Sequence, residues 1–259
     1  MKIFWTRLSL IMIGSLLMLN SLSVSANQAE LKGISFYVMR VIYPENASQG
    51  VALTVYNKSD QPFLMQSWIR NMDPQTGGVA PQGKAVTPMP FIVTPPLQRL
   101  EPNSDLTLRI RRTGGELAQD RESVFYIATK AIPSTPANMA QNGGQLTLAV
   151  VSNLKLFYRP SSLPDSGVAG AASQLRFHLE GNTLVAENPT PFWLTFSRLK
   201  VGNYLFDNAA MRLMVPPKGQ QRYNLLAGTK GPVEWQLLDE SAWNTPLQQQ
   251  KSLTGSSRY

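Results

Sequence analysis

Short segments of the chain alternate hydrophobic and polar residues, which is the pattern of β-strands with one buried face. Val51, Leu53 and Val55 are one clear example. Turn residues separate these segments at the spacing expected of a β-sandwich. In the first half of the chain the pattern predicts strands at Ile34–Tyr43, Gly50–Asn57, Phe63–Arg70, Pro90–Thr94, Leu106–Arg111, Ser123–Ala131 and Gln145–Tyr158.

A stretch rich in Pro, Gly, Ala and Ser interrupts this pattern after Tyr158, and we interpret residues 161–173 as a linker. Beyond it the alternation resumes with no competing helical period, so the sequence predicts a second, smaller β-sandwich and an all-β protein. The predicted domains cover residues 27–160 and 174–247, followed by a frayed polar tail at 248–259. Strands of the second domain are expected at Leu175–Leu179, Thr183–Glu187, Trp193–Leu199, Arg212–Val215, Gln221–Leu225 and Glu234–Leu238.

The first residues are of a different kind. Lys2 and Arg7 precede an apolar run from Leu8 to Leu22, and small residues follow that run. These features are typical of a secretory signal peptide, which we place at residues 1–26. The alternative is a short membrane anchor, but the run is shorter than the ~20 residues that a membrane span needs. We therefore expect a mature protein that is soluble and exported.

Composition then excludes several classes of function. The formal net charge is +8, and removing the two cations of the leader leaves +6. This favours partners that carry carboxylates, whereas export argues against nucleic acid. The chain has no cysteine and a single histidine, His178, which we interpret as a solvent-facing strand residue. The common zinc sites and a Ser-His-Asp arrangement are therefore not expected, and we predict a protein that is not an enzyme and has no cofactor or metal.

The predicted strand Gln145–Tyr158 is much longer than the ~5–6 residues of a typical strand. Leu146, Leu148 and Val150 alternate on one face of it. As the last strand of its domain it should lie at a sheet edge, where apolar strands are normally avoided because they pair with other chains. Two interpretations stay open: these residues face their own core, or they complete the sheet of a partner.

Two cations interrupt apolar strands. Arg40 lies within Val38–Ile42, and Lys155 lies between Leu154 and Leu156. Either residue alone is most simply a surface charge on a long aliphatic stem. If their strands are neighbours, however, the two cations form a paired anion site that would suit a C-terminal carboxylate.

The sequence resembles the periplasmic pilus chaperones of the chaperone–usher family at several motifs in the same order. The resemblance extends from about Ile34 to Asp239. The motifs are Gln98–Pro102 (QRLEP), Gln119–Tyr126 (QDRESVFY), Ala131–Pro133 (AIP), Leu154–Pro160 (LKLFYRP) and Glu187–Pro191 (ENPTP).

This resemblance implies two immunoglobulin-like β-sandwich domains in an L or boomerang arrangement with a cleft between them. It implies that pilin (fimbrial) subunits and an outer-membrane usher are the partners. It also implies roles for four groups of residues. The anchor of the carboxyl terminus of the bound pilin would be Arg40 and Lys155, and the donor-strand residues would be Leu146, Leu148 and Val150. The interdomain ion pairs would be formed by Glu122, Arg159 and Asp239. The usher-docking patch would consist of Pro62, Leu64, Thr94, Pro95, Pro96 and Ile132.

Some features qualify the resemblance. The short loop at Pro133–Gly144 and the lack of cysteine indicate the short-loop branch, which serves rod-like pili. Met39 stands where a threonine is common in the family, and the segment after Asp239 lacks the usual aromatic-glycine turn. Pro95-Pro96 could also be a plain strand breaker.

Three questions stay open at this point. Two of them are alternative functions: the protein could be an adhesin or pilin with an immunoglobulin-like fold, or an exported enzyme on a sandwich scaffold. Whether the free protein caps its own edge as a homodimer is also open.

Overall fold

A computed structural model describes residues 33–81, 88–134, 148–251 and 254–255 of the chain. The predicted signal peptide and Leu146 of the predicted donor strand lie outside the described residues. The expectations for them therefore stay predictions.

Within these ranges, nine strands build the first sandwich. They are β1 (Ile34–Ser35), β2 (Arg40–Pro44), β3 (Val51–Asn57), β4 (Phe63–Asn71), β5 (Phe91–Thr94), β6 (Leu97–Leu100), β7 (Asp105–Arg112), β8 (Ser123–Pro133) and β9 (Val150–Arg159). One sheet has the order β1–β3–β7–β5, and the facing sheet has the order β2–β9–β8–β4–β6. Within the second sheet, β2 runs parallel to β9 while the other pairs are antiparallel.

Alternate residues of both sheets meet in one core. Phe91 lies at its centre, with ring centroids 5.0 Å from Tyr43 and 5.4 Å from Phe125 in edge-to-face geometry. Leu156 and Tyr158 of β9 are fully buried in the same core. Each such side chain contributes roughly 1.5–3 kcal/mol by leaving water, so this core fixes which face of β9 points inward.

The start of the first sandwich differs from the prediction of one strand at Ile34–Tyr43. β1 and β2 belong to different sheets, and the exposed residues Tyr37, Val38 and Met39 lie between them. A hydrophobic pattern cannot reveal this change of sheet because the alternation continues across it. The sequence also missed β6, whose first three residues are exposed at the edge of the sheet and do not alternate.

The second sandwich contains eight strands in the part of the chain that the structure describes. They are β10 (Arg176–Glu180), β11 (Thr183–Asn188), β12 (Phe196–Val201), β13 (Tyr204–Leu205), β14 (Gly219–Asn224), β15 (Val233–Leu237), β16 (Gln248–Gln250) and β17 (Thr254–Gly255). Its sheets have the orders β14–β11–β10–β17 and β13–β12–β15–β16. The prediction of an all-β protein with two immunoglobulin-like sandwiches is thus confirmed.

Several details of the second half differ from the prediction. The expected strand Arg212–Val215 is only an isolated bridge between Leu194 and Val215. The tail predicted to fray from Gln248 begins as β16, because its backbone pairs with β15. β16 consists of three glutamines, so it shows no hydrophobic period.

Short helices accompany the second sandwich at α1 (Val168–Ala172) and α2 (Asn208–Met211). α1 lies inside the predicted linker, yet its residues Val168, Ala171 and Ala172 are buried in the second core. The indole of Trp235 donates to the carbonyl of Ala172 at 3.0 Å. Neither helix in the described part of the chain is long and apolar enough to cross a membrane.

Candidate functional site: a cationic cleft and an open strand edge

The parallel pairing of β2 with β9 brings the two predicted cations together. Arg40 and Lys155 are direct partners in the register of these strands, and Tyr126 of β8 is the next residue in the same row. Residues opposite each other on neighbouring strands share one face of the sheet. The condition for a paired anion site, that the two strands are neighbours, is therefore met.

Both cations are held away from bulk water. The Arg40 side chain stands over the ring of Phe157 at 5.4 Å and donates a hydrogen bond of 3.0 Å to the carbonyl of Leu238 in the second sandwich. Burial lowers the pKa of the Arg40 guanidinium, and nearby carboxylates, Glu122 first among them, act in the opposite direction. An arginine still keeps its charge under these conditions.

Lys155 is more strongly affected. Its ammonium lies 3.5 Å from the hydroxyl of Thr195, a buried residue of the second sandwich. Burial and the neighbouring charge of Arg40 lower the pKa of Lys155 from 10.5 to about 8. Burial and the like charge of Arg40 disfavour the charged form of Lys155, and a bound anion would compensate for both effects. The site is therefore suited to binding a carboxylate.

The two cations open into a cleft of about 400 Å³. Among the described residues that line it there is no Asp or Glu. Polar groups on its walls are Tyr126, Asn153, Thr195 and Arg212, and Met39 also lines it. No group of residues able to hold a metal ion was found within the described ranges. The cleft therefore has the chemistry of an anion-binding site.

Strand β9 is a sheet edge over only half of its length. Lys155–Arg159 pairs with β2, whereas residues 150–154 pair only with β8 among the described strands. The prediction that the whole strand lies at an edge is corrected in this respect, because β2 covers its second half. The open half ends directly at Lys155.

The predicted donor residues within the described part of the strand are exposed. Leu148 is 70% and Val150 is 65% exposed. Val150 lies in phase with the core residues Leu154 and Leu156, since side chains alternate along a strand, and Leu148 precedes the start of β9 by two residues. The first alternative, that these residues face their own core, is therefore wrong for Leu148 and Val150. The face of β9 that is buried at Leu154 and Leu156 is therefore an exposed apolar surface at Val150, and the backbone beside it has no partner among the described strands on the side away from β8.

A buried ion-pair network joins the two sandwiches at the end of β9. The guanidinium of Arg159 lies 2.7 Å from Glu122 and 3.1 Å from Glu240, and it stacks on the ring of Phe192 at 4.9 Å. The side chains of Arg159 and Glu122 are only 2% exposed. The second Glu122 oxygen accepts the backbone N–H of Trp193 at 2.9 Å. This network is not an ordinary surface pair.

The acidic partner from the second sandwich is Glu240, and the prediction of Asp239 is corrected. The Asp239 carboxylate instead accepts the backbone N–H groups of Ser241 and Trp243 in its own turn, each at 2.9 Å. Glu240 also accepts the backbone N–H of Gly167 at 2.9 Å at the start of α1. Burial acts to raise the pKa of Glu240, but these backbone hydrogen bonds and Arg159 outweigh it, and the pKa is lowered.

Most residues of the predicted docking patch lie on one part of the first sandwich. Leu64 and Ile132 are direct cross-strand partners, and the carbonyl of Pro62 accepts the N–H of Ser134. Thr94–Pro96 connects β5 to β6, and the Thr94–Pro95 peptide bond is cis. The backbone N–H of Ser67 in β4 donates a hydrogen bond to the carbonyl of Pro96, which places this connection next to β4. Leu64 is partly exposed, so an apolar surface is available here.

Sequence reasoning missed Glu240, Thr195 and Arg212. An acidic neighbour of Asp239 was the only available signal for Glu240, because turn geometry decides which of the two carboxylates points at Arg159. Thr195 and Arg212 come from the second sandwich, and their place in the cleft depends on how the two sandwiches meet.

An apolar edge that leads into an anion-binding cleft is the arrangement of a protein that binds an extended chain by strand addition. Comparisons with known proteins agree with this class. Residues 33–164 match the N-terminal domain, and residues 170–241 the C-terminal domain, of the family described as pili and flagellar-assembly chaperones. The chain belongs to this family, a class of assembly chaperones and not of enzymes, as the sequence predicted.

Individual relatives support the same conclusion. The chain is 35% identical over 228 residues to the probable fimbrial chaperone SfmC of Escherichia coli. The alignment covers 88% of this chain and 92% of SfmC. The chain is 34% identical over 240 residues to the chaperone protein FimC of Escherichia coli, covering 91% and 90% respectively. A solved complex of the Salmonella enterica SafA pilin with the SafB chaperone contains a chain that superposes on this protein with a TM-score of 0.72 and is 30% identical to it in sequence. The superposition covers 86% of this protein and 98% of the matched chain.

Proposed function

We propose that this protein captures unfinished pilin subunits in the periplasm and holds them by donor-strand complementation until assembly. One observation carries the proposal: the exposed apolar edge of β9 leads straight into the cleft of Arg40 and Lys155. The edge offers backbone hydrogen bonds and alternating apolar side chains to an incomplete sheet, which is how β-strand addition works.

In this proposal the cleft sets the register of the bound pilin. The carboxylate of the pilin's last residue binds between Arg40 and Lys155, and its final strand then runs along the open edge of β9. A slip of one residue would turn Leu148 and Val150 away from the pilin's groove. The anchor therefore decides which chaperone side chains enter the groove. Leu146 has the same parity as Leu148 and Val150, and we propose that it serves as a third donor residue.

A pair of neighbouring substitutions tests this mechanism. Val150→Glu places a charge on the donor face, and we expect the affinity for pilin to fall by roughly 30- to 1000-fold because an unpaired charge would enter an apolar groove. Val151→Glu is the matched control, since Val151 is also exposed and lies on the opposite face of the same strand.

Both variants should fold with stabilities within ~0.5 kcal/mol of the wild type, because both positions are exposed. Affinity is measured by titrating the purified chaperone against a pilin released from denaturant. Equal losses of affinity in the two variants would contradict the assigned donor face.

We further propose that the loaded chaperone docks to an outer-membrane usher through Pro62, Leu64, Thr94–Pro96 and Ile132. The contact between Leu64 and Ile132 and the exposure of Leu64 support this surface. The short loop predicted from the sequence at Pro133–Gly144, most of which lies outside the described residues, and the absence of cysteine support the short-loop branch. Binding of the loaded chaperone to usher-containing membranes and the identity of the pilins that co-purify are the measurements that test these two points.

A further inference from the structure

The cleft contains a third cation, Arg212, that the anchoring of a single carboxylate does not use. Arg212 follows α2 in the second sandwich and lines the same cavity as Arg40 and Lys155. Its side chain is exposed to the cleft, and no hydrogen bond or ion pair of its guanidinium is found in the described part of the chain. Three cations therefore converge where the described lining offers no carboxylate.

The position of Arg212 is fixed by a contact between the two sandwiches. The loop at Asp73–Gly78 is closed by hydrogen bonds from its own backbone to Asp73. Gly77, at a positive φ of 64°, packs so closely on the backbone of Arg212 that no side chain would fit between them. The carbonyl of Gly77 in turn accepts a hydrogen bond from the hydroxyl of Tyr126.

This contact places the guanidinium of Arg212 close to Tyr126. Burial, the larger effect, raises the pKa of the Tyr126 hydroxyl, and the charge of Arg212 acts to lower it. Because Arg40, Lys155 and Tyr126 form one row across the sheet, Arg212 stands at the far end of this row from Arg40. Two strand spacings, about 10 Å, separate the ends of such a row.

From this arrangement we propose that the cleft recognises a chain end with two negative groups: the terminal carboxylate between Arg40 and Lys155, and an acidic side chain in one of the last two residues, held by Arg212. The last residues of the bound chain would lie at the open edge of β9, and an acidic side chain among them would extend across the cleft face of β9 towards Tyr126 and Arg212. The inference rests on the proposed function, since it assumes that the cleft holds the terminus of a pilin.

Two sets of four synthetic peptides, with otherwise identical Thr/Val sequences and a fluorescein label at the N-terminus, test this inference. The first set carries Glu or Gln as the second-last residue and ends in either a carboxylate or an amide, and the second set carries the same change in the last residue. Dissociation constants are measured by fluorescence anisotropy at pH 7 and low salt for the wild type, Arg212→Gln and Arg198→Gln. Arg198 is the control because it is an arginine of the second sandwich outside the cleft lining.

In at least one of the two sets, we expect the wild type to bind the Glu peptide about 3- to 10-fold more tightly than the Gln peptide, which is the range for a partly exposed charge pair. Arg212→Gln should reduce this ratio to near one and keep the preference for a carboxylate over an amide end. Arg198→Gln should keep both preferences.

Two other results would overturn parts of the account separately. If the wild type prefers the carboxylate end but does not distinguish Glu from Gln in either set, or if Arg212→Gln leaves that distinction intact, the role of Arg212 is wrong and the anchor stands. If the wild type does not distinguish carboxylate from amide, the anchor itself is wrong and the inference falls with it.

Discussion

Replacing Lys155 with methionine should abolish the capture of pilins and at the same time stabilise the free protein. Methionine keeps the length and the apolar stem of lysine but removes the ammonium that faces the cleft. Losing one partner of a buried, charge-assisted contact costs about 2–5 kcal/mol, so the affinity for pilin should fall by a factor of roughly 30 to 5000. The remaining charge of Arg40 cannot compensate, because its Leu238 contact and the ring of Phe157 hold it in place.

The gain in stability follows from the lowered pKa of Lys155. The pKa of Lys155 falls from 10.5 in the unfolded chain to about 8 in the folded protein. Below pH 8 the lysine is charged in both states, and its charge then lowers the free energy of unfolding. The full difference corresponds to roughly 3 kcal/mol, and solvent at the cleft reduces it, so we expect a gain of about 1–2 kcal/mol for Lys155→Met. Between pH 8 and 10.5 the unfolded chain binds more protons, so the wild type becomes more stable as pH rises and the gain disappears.

Urea unfolding of the free proteins between pH 6.5 and 10.5, together with titration against a pilin at pH 7, measures both effects. Lys230→Met is the control, because Lys230 is an exposed residue of the second sandwich that does not line the cleft. A Lys155→Met protein that captures pilins normally would show that the ammonium is not the anchor. A protein that is destabilised at pH 7 would show that Lys155 has a structural partner in the folded chain.

Glu122→Ala should give the largest loss of stability among single substitutions at the junction of the two sandwiches. Removing this carboxylate leaves the guanidinium of Arg159 buried with Glu240 as its one remaining carboxylate partner among the described residues, beside backbone carbonyls and the ring of Phe192. It also leaves the backbone N–H of Trp193 without its acceptor. Breaking a buried pair in this way costs roughly 3–5 kcal/mol, whereas an exposed pair contributes at most ~1 kcal/mol.

Glu101→Ala is the control that separates the loss of a buried ion pair from the loss of an exposed one, since Glu101 forms an exposed pair with Arg99. Unfolding in urea should show a large loss for Glu122→Ala and almost none for Glu101→Ala. The double variant Glu122→Ala/Arg159→Met should be more stable than Glu122→Ala alone, because it removes the uncompensated charge. A loss below ~1 kcal/mol for Glu122→Ala, the limit for an exposed pair, would mean that the network does not hold the sandwiches together.

The long strands could be predicted from the sequence because burial of one face imposes a period on their residues. This holds for β3 and β7, in which buried apolar residues alternate with more exposed ones. It fails where an element owes its place to backbone pairing, as in β6 and β16, or where a continuous apolar segment changes sheet, as between Ser35 and Arg40. Small buried residues caused another error, because Val168–Ala172 has the composition of a linker although it packs as a helix.

The candidate site was predictable to the extent that one sheet builds it. Arg40 and Lys155 interrupt apolar strands, and a charge in such a place marks a site before the strand order is known. Glu240 and Arg212 were not predictable, because their side chains reach the first sandwich only through turns of the second. The choice between Asp239 and Glu240 depends on which carboxylate closes the local turn.

The central claim is that the open half of β9 pairs with a pilin strand whose end lies at Lys155. Hydrogen exchange of the β9 amides, with and without a bound pilin, tests it most directly. Within residues 150–154, the amides that point away from β8 have no strand partner in the described structure, and we expect their exchange to slow by about tenfold or more in the complex. The amides of Lys155–Arg159, already covered by β2, should change little. A complex in which the exchange of residues 150–154 is unchanged would contradict strand addition at this edge.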